Sequence, residues 1–175
     1  MDKHHRRSIR LPGFDYSQNG YYFVTICTFN RESIFGDIAN GKMKLNQLGI
    51  IVNHNWAAIP DHYPYVTVDT YTIMPNHIHG ILNIDRYVGA NDYSPLPQTD
   101  KSKPGTSKTI GAIIRGFKIG VTEWSRKQSD FFAVWQRNYY EHIIRNEKDY
   151  WAIRQYIIDN HKNWEKDELY KRSGL

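Results

Sequence analysis

Cysteine is nearly absent from this chain: Cys27 is the only one in 175 residues. A single thiol excludes disulfides within the chain and thiolate zinc sites, and it fits a reducing cytoplasm. No apolar run approaches the roughly 20 residues of a membrane span. The N-terminal stretch MDKHHRRSIRLPG is basic but has no apolar core, so no secretory signal is expected. A glycine-rich phosphate loop is also missing. Acidic residues are scarce in two places. Residues 1–10 carry four Lys or Arg against one acid and residues 101–127 carry seven against one, whereas residues 11–100 carry four against eight. The net charge of +5 is therefore concentrated, with a pI near 9.2. Such a distribution suits a polyanionic partner, nucleic acid first; solvated tails and helix faces produce the same pattern.

What the chain does contain is ordinary for a globular protein: 40% hydrophobic and 23% charged residues. One domain over residues 1–175 is expected, with a basic tail at 1–12 and a long loop at 85–107 rich in Pro, Gly, Ser and Asn. Tyr21 to Thr28 reads as a strand, rich in aromatic and β-branched residues. Lys44 to about Ala58 reads as a helix ended by Pro60, with Leu45, Leu48, Ile51, Val52 and Trp56 on one stripe. Val66 to Ile73 and His77 to Ile84 read as a hairpin about Met74-Pro75-Asn76. A helix over Ser107 to Lys127 follows, then a strand over Val134 to Ile144. A last helix capped by Asn146 reaches about Trp164. The order matches an α+β, ferredoxin-like β-α-β-β-α-β antiparallel sheet with an added C-terminal helix.

Two positions stand out. In a strand, His77 and His79 project to one face and Ile78 to the other, which is the geometry for two ligands of one metal ion. On the last helix, at about 100° per residue, Tyr150, Ile153, Ile157 and Trp164 form the buried stripe. Tyr156 and Asn160, an i, i+4 pair, lie on its border. Two imidazoles and an amide oxygen would accept Mg²⁺ or Mn²⁺ and leave positions open. No ligating carboxylate is expected nearby. Tyr156 would then be the nucleophile on a phosphate polarised by the ion. Each residue also has a plainer reading: surface histidines, a packing tyrosine, a helix-capping asparagine, and for His142 a hydrogen-bonded core histidine.

Met74-Pro-Asn-His-Ile-His79 resembles the histidine–hydrophobic–histidine (HUH) signature of single-tyrosine transposases. The segment Trp135 to Tyr150 is similar to the one before the catalytic helix in the REP-associated tyrosine transposases. Tyr156-Ile-Ile-Asp-Asn160 resembles their Tyr-x-x-x-Asn motif, with His161 where relatives usually carry Pro. The similarity spans roughly residues 15 to 165. It implies His77, His79 and Asn160 as metal ligands and Tyr156 as catalytic nucleophile. The implied reaction is Mg²⁺- or Mn²⁺-dependent nicking and strand transfer of single-stranded or hairpin DNA through a 5′-phosphotyrosine link. The family also implies a cytoplasmic, nucleoid-associated protein, monomer or homodimer, with no membrane partner.

The basic residues Arg6, Arg7, Arg10, Lys108, Arg115 and Lys118 are expected on the DNA backbone, giving affinity rather than sequence choice. Two rival readings lead elsewhere. A non-catalytic module would bind single-stranded nucleic acid by stacking and need neither metal nor Tyr156. A metal-dependent hydrolase using water would leave no protein–DNA link.

Overall fold

The computed structural model describes residues 18–86, 109–128 and 133–170. The tail at 1–12, most of the loop at 85–107 and Lys108 lie outside the described residues. The elements are β1 (Gly20–Cys27), β2 (Gly36–Ala39), β3 (Lys42–Leu45), α1 (Gln47–Ala57) and the short α2 (Ile59–His62). Then come β4 (Val66–Met74), β5 (His77–Ile84), α3 (Ile110–Gln128), β6 (Tyr140–Ile144) and α4 (Glu147–Asp159), which runs into a 3-10 segment, Asn160–Lys166. Strands β4-β5-β1-β6, in that order, form one antiparallel sheet.

Alternation along β1 and β5 divides the sheet into two faces. Tyr22, Val24 and Ile26 of β1, with Ile78, Leu82 and Ile84 of β5, join the main core. Leu48, Val52 and Trp56 of α1 and Ile110, Ile113, Ile114, Phe117 and Val121 of α3 complete it. Gly80 lets this packing close, because a Cβ there would lie 2.5 Å from the Trp56 ring. The opposite face carries Phe23 and Ile81, which pack with Ile144 and with Ile157 of α4.

A bulge between Val68 and Tyr71 inserts one extra residue into β4 opposite β5. Val68 and Tyr71 therefore both pack toward the main core. Asp69 is left toward α4, where its Oδ2 accepts the Tyr150 hydroxyl at 2.6 Å and its Oδ1 faces Arg154 at 3.7 Å.

The structure corrects several expected boundaries. Lys44 and Leu45 belong to β3, not to a helix, because Asn40-Gly41 closes a β2–β3 hairpin. Both turn residues have positive φ, 54° and 68°, which Asn and Gly tolerate. Helix α1 starts at Gln47, capped by the Asn46 side chain on the Gly49 N–H. Pro60 does not end it but sits in the first turn of α2, where its missing N–H costs nothing. The last sheet strand is only Tyr140–Ile144; Trp135 makes an isolated bridge to Thr28. Asn146 caps α4 as expected, accepting from the Asp149 N–H. That helix ends at Asp159 rather than Trp164, and the chain tightens to 3-10 beyond it.

Candidate active site

His77 and His79 are both buried on the α4 face, with ring centroids 4.4 Å apart. Each ring is oriented by a neighbour. His77 Nδ1 lies 2.8 Å from Asn76 Oδ1. The Asn76 amide nitrogen donates to the backbone carbonyls of Arg31 and Leu169, which fixes its oxygen toward the histidine. His77 must then carry its proton on Nδ1, and its Nε2 lone pair is buried with no partner among the described residues. His79 Nδ1 lies 2.8 Å from the Thr25 hydroxyl, and its Nε2 lies 3.1 Å from the Tyr156 hydroxyl.

Helix α4 and the start of the 3-10 segment that follows it bring Tyr156 and Asn160 to the histidines, 77 and more residues away in sequence. Asn160 is buried. Its amide nitrogen donates to Asp167 Oδ2 at 2.9 Å, and its Oδ1 is buried without a partner among the described residues. Asp167 was not anticipated. Its carboxylate completes a group with His77 and His79 in which the three donor atoms lie within 4.8 Å of one another. No sequence spacing announces it: Asn160–Lys166 is 3-10, and Asp167 is the extended residue that follows it. The expectation of no nearby carboxylate is therefore corrected.

Donor chemistry and geometry fit a divalent cation. Two neutral imidazoles and a carboxylate converge, and the orphaned His77 Nε2 and Asn160 Oδ1 are otherwise uncompensated buried polar atoms. Burial also keeps the imidazoles neutral. Desolvation, reinforced by His79 and Arg31, holds His77 well below its usual range. Desolvation brings His79 down to about 4, with Asp167 opposing. The Tyr156 phenol is pushed up to about 12, by desolvation first and then by the Asp167 charge. Without added positive charge it is a poor nucleophile.

These groups open into a cleft of about 1040 Å³. Phe23 and Tyr140 form an aromatic wall beside Tyr156, with Phe23 in edge contact with both. Arg31 and Lys166 line the cleft as well.

The remaining expected residues are dispersed. Arg6, Arg7, Arg10 and Lys108 lie outside the described residues. Arg115 is exposed on α3. Lys118 has a different occupation: its ammonium donates to the carbonyls of Gln136 and Asn138, at 2.8 and 3.1 Å, stapling α3 to the approach to β6. His161 is not at the histidine pair; its Nε2 lies 2.7 Å from the Thr72 hydroxyl on β4.

No family model matches the chain. It is 52% identical over 169 residues to an uncharacterized protein of Haemophilus influenzae, covering 95% of this chain and 94% of that one. It is 26% identical over 147 residues to a protein of the same organism assigned as a REP-associated tyrosine transposase, covering 83% of this chain and 72% of that one. The chain is similar in sequence to the REP-associated tyrosine transposases. A solved REP-associated tyrosine transposase, bound to a REP hairpin, shares the fold with a TM-score of 0.54 at 21% identity, over 90% of this chain and 87% of that one. Among the described residues, no helix is long and apolar enough to cross a membrane.

Proposed function

We propose that this chain is a DNA-nicking and strand-transfer enzyme that works through a covalent link to Tyr156. The observation that carries the reading is the Tyr156 hydroxyl, 3.1 Å from a buried histidine whose partner histidine presents an unpartnered nitrogen. We read the strand order β4-β5-β1-β6, with α1 and α3 as crossovers, as the ferredoxin-like split β-α-β arrangement. On it, α4 is the added catalytic helix.

His77, His79 and Asn160 would hold Mg²⁺ or Mn²⁺. When bound, the ion supplies Lewis-acid polarisation of the scissile phosphate and offsets the negative charge that raises the phenol. The protein's own groups do the rest. Asn76 and Thr25 fix the two rings. Helix α4 places the Tyr156 oxygen at the mouth of the cleft. That oxygen attacks phosphorus, the bond to the 3′ oxygen breaks, and the phenol proton ends on the released 3′-OH. A 5′-phosphotyrosine remains, and a 3′-OH can later reverse the exchange at little energetic cost, since one phosphodiester replaces another.

The substrate is single-stranded or hairpin DNA. The exposed Tyr140 ring, backed by the buried Phe23, offers stacking surface to unpaired bases, which a paired duplex does not present. Arg115, with Arg6, Arg7, Arg10 and Lys108, would contact the phosphate backbone and contribute salt-dependent affinity.

The test is a denaturing gel of the protein with labelled single-stranded hairpin oligonucleotides from DNA flanking its own gene, plus Mg²⁺ or Mn²⁺. A metal-dependent shifted band, lost in Tyr156→Phe, is expected. Cleavage without a shifted band would point to the hydrolase, and binding without cleavage to a non-catalytic module.

A further inference from the structure

Asp167 is the acidic group at the histidine pair that no motif accounts for. It stands just beyond the 3-10 segment Asn160–Lys166, and two donors aim its carboxylate. The Asn160 amide nitrogen bonds Oδ2 at 2.9 Å, and the Leu169 N–H bonds Oδ1 at 2.7 Å. The segment that carries it is tied to the metal-facing turn by the residue that orients His77: Asn76 accepts from His77 on one side and donates to the Leu169 carbonyl on the other. The histidine and the carboxylate therefore share one anchor. Each carboxylate oxygen retains a second lone pair after these bonds. His77 Nε2, buried, has no partner among the described residues, and one donor atom each of His77, His79 and Asp167 lie within 4.8 Å of one another.

We infer that Asp167 is a direct ligand of the cation held by His77 and His79, making a two-histidine, one-carboxylate site that takes a transition-metal dication such as Mn²⁺ in preference to Mg²⁺. The inference rests on the proposed cation at the histidine pair and adds to it the ligand and the ion class. Its chemistry is that of the donors. Two imidazole nitrogens suit first-row transition dications, whereas Mg²⁺ favours oxygen ligands and keeps its waters. A carboxylate leaves the loaded site with one net positive charge rather than two and strengthens the hold on the ion. Asn160, which donates to that carboxylate, then also acts as its positioning residue.

Calorimetric titration of the full-length, metal-free protein with MnCl₂ and with MgCl₂ tests it, using wild type, Asp167→Asn and Glu165→Gln. The last removes the same charge from an exposed position two residues upstream. The expected result is at least tenfold tighter Mn²⁺ than Mg²⁺ in wild type, a tenfold or greater loss of Mn²⁺ affinity in Asp167→Asn, and no more than a twofold change in Glu165→Gln. Undiminished Mn²⁺ binding by Asp167→Asn would overturn the role of Asp167 and leave the histidine site standing. No binding of either ion by wild type would overturn both. Should Asp167→Asn fail to fold, a crystal structure of wild type grown with Mn²⁺ decides. A carboxylate oxygen of Asp167 bonded directly to the ion supports the inference, and a water in its place contradicts it.

Discussion

The two faces of the central sheet are built to different rules although they share the same strands. On one, Tyr22, Val24, Ile26, Ile78 and Leu82 are fully buried beneath α1 and α3, and their only polar side-chain group, the Tyr22 hydroxyl, is satisfied by the Gln18 carbonyl at 2.8 Å. On the other, one residue away in each strand, Thr25, His77 and His79 are as deeply buried, with only Phe23, Ile81, Ile144 and Ile157 forming a small apolar cluster. Burial on the first face is favourable by roughly 25 cal/mol per Å². Burial on the second desolvates imidazoles and leaves His77 Nε2 and Asn160 Oδ1 without a partner among the described residues, a cost that the proposed cation would offset. The contrast teaches that equal burial within a single strand can serve stability at Ile78 and chemistry at His79.

Substitutions should separate the faces. The largest effect belongs to Tyr156→Phe. Covalent adduct formation should be lost, because phenylalanine has no oxygen to attack with, while the urea midpoint hardly moves, because the ring is half-exposed and only the hydroxyl is removed. Trp56→Ala, on the apolar face, should do the reverse. It should cost about 3–5 kcal/mol in urea unfolding without altering Mn²⁺ affinity in the fraction that stays folded.

Acid distinguishes the faces next. In the metal-free protein His79 titrates near 4, below its value in the unfolded chain. The unfolded state therefore takes up the proton first. The stability this histidine contributes is present above about pH 6.5 and is lost as pH falls toward 4. The loss should amount to about 3 kcal/mol, with His77 acting in the same direction. Chemical unfolding at stepwise pH measures it, and His79→Gln should flatten the profile. A smaller effect is expected at the bulge: Tyr150→Phe removes the bond to Asp69 and should cost about 1 kcal/mol, read as a shift in thermal midpoint. The smallest is Arg115→Ala, which should weaken DNA binding a few-fold and lower the salt dependence by about one phosphate contact, as fluorescence anisotropy over a salt series would show.

How much of this was legible in the sequence differs between the faces as well. The apolar face was plain, because alternation in β1 and β5 and the stripes on α1 and α3 are strong periodic signals. The His-x-His pair and the Tyr156–Asn160 pair were visible as local spacings, and the resemblance to the transposases joined them. The β2–β3 hairpin was missed although Asn40-Gly41 announces it, because its strands are four residues long and run directly into the α1 stripe. Asp167 was missed because a carboxylate in a charged C-terminal stretch looks solvated; only the fold shows it bonded to Asn160 beside the histidines. Asn76 read as a turn residue, and the turn gave no hint that its amide also orients His77. Lys118 looked like a phosphate contact because helical periodicity places it off the apolar stripe, whereas its ammonium reaches carbonyls contributed by a distant segment.

The central claim is that Tyr156 forms the bond to DNA. The most direct measurement is tandem mass spectrometry of the covalent product after tryptic and nuclease digestion. Cleavage after Arg154 and Lys162 yields peptide 155–162, in which Tyr156 is the only tyrosine. The account predicts a 5′-phosphonucleotide on that peptide, formed only with divalent metal. Adduct on any other peptide, or cleaved DNA with peptide 155–162 unmodified, would contradict it.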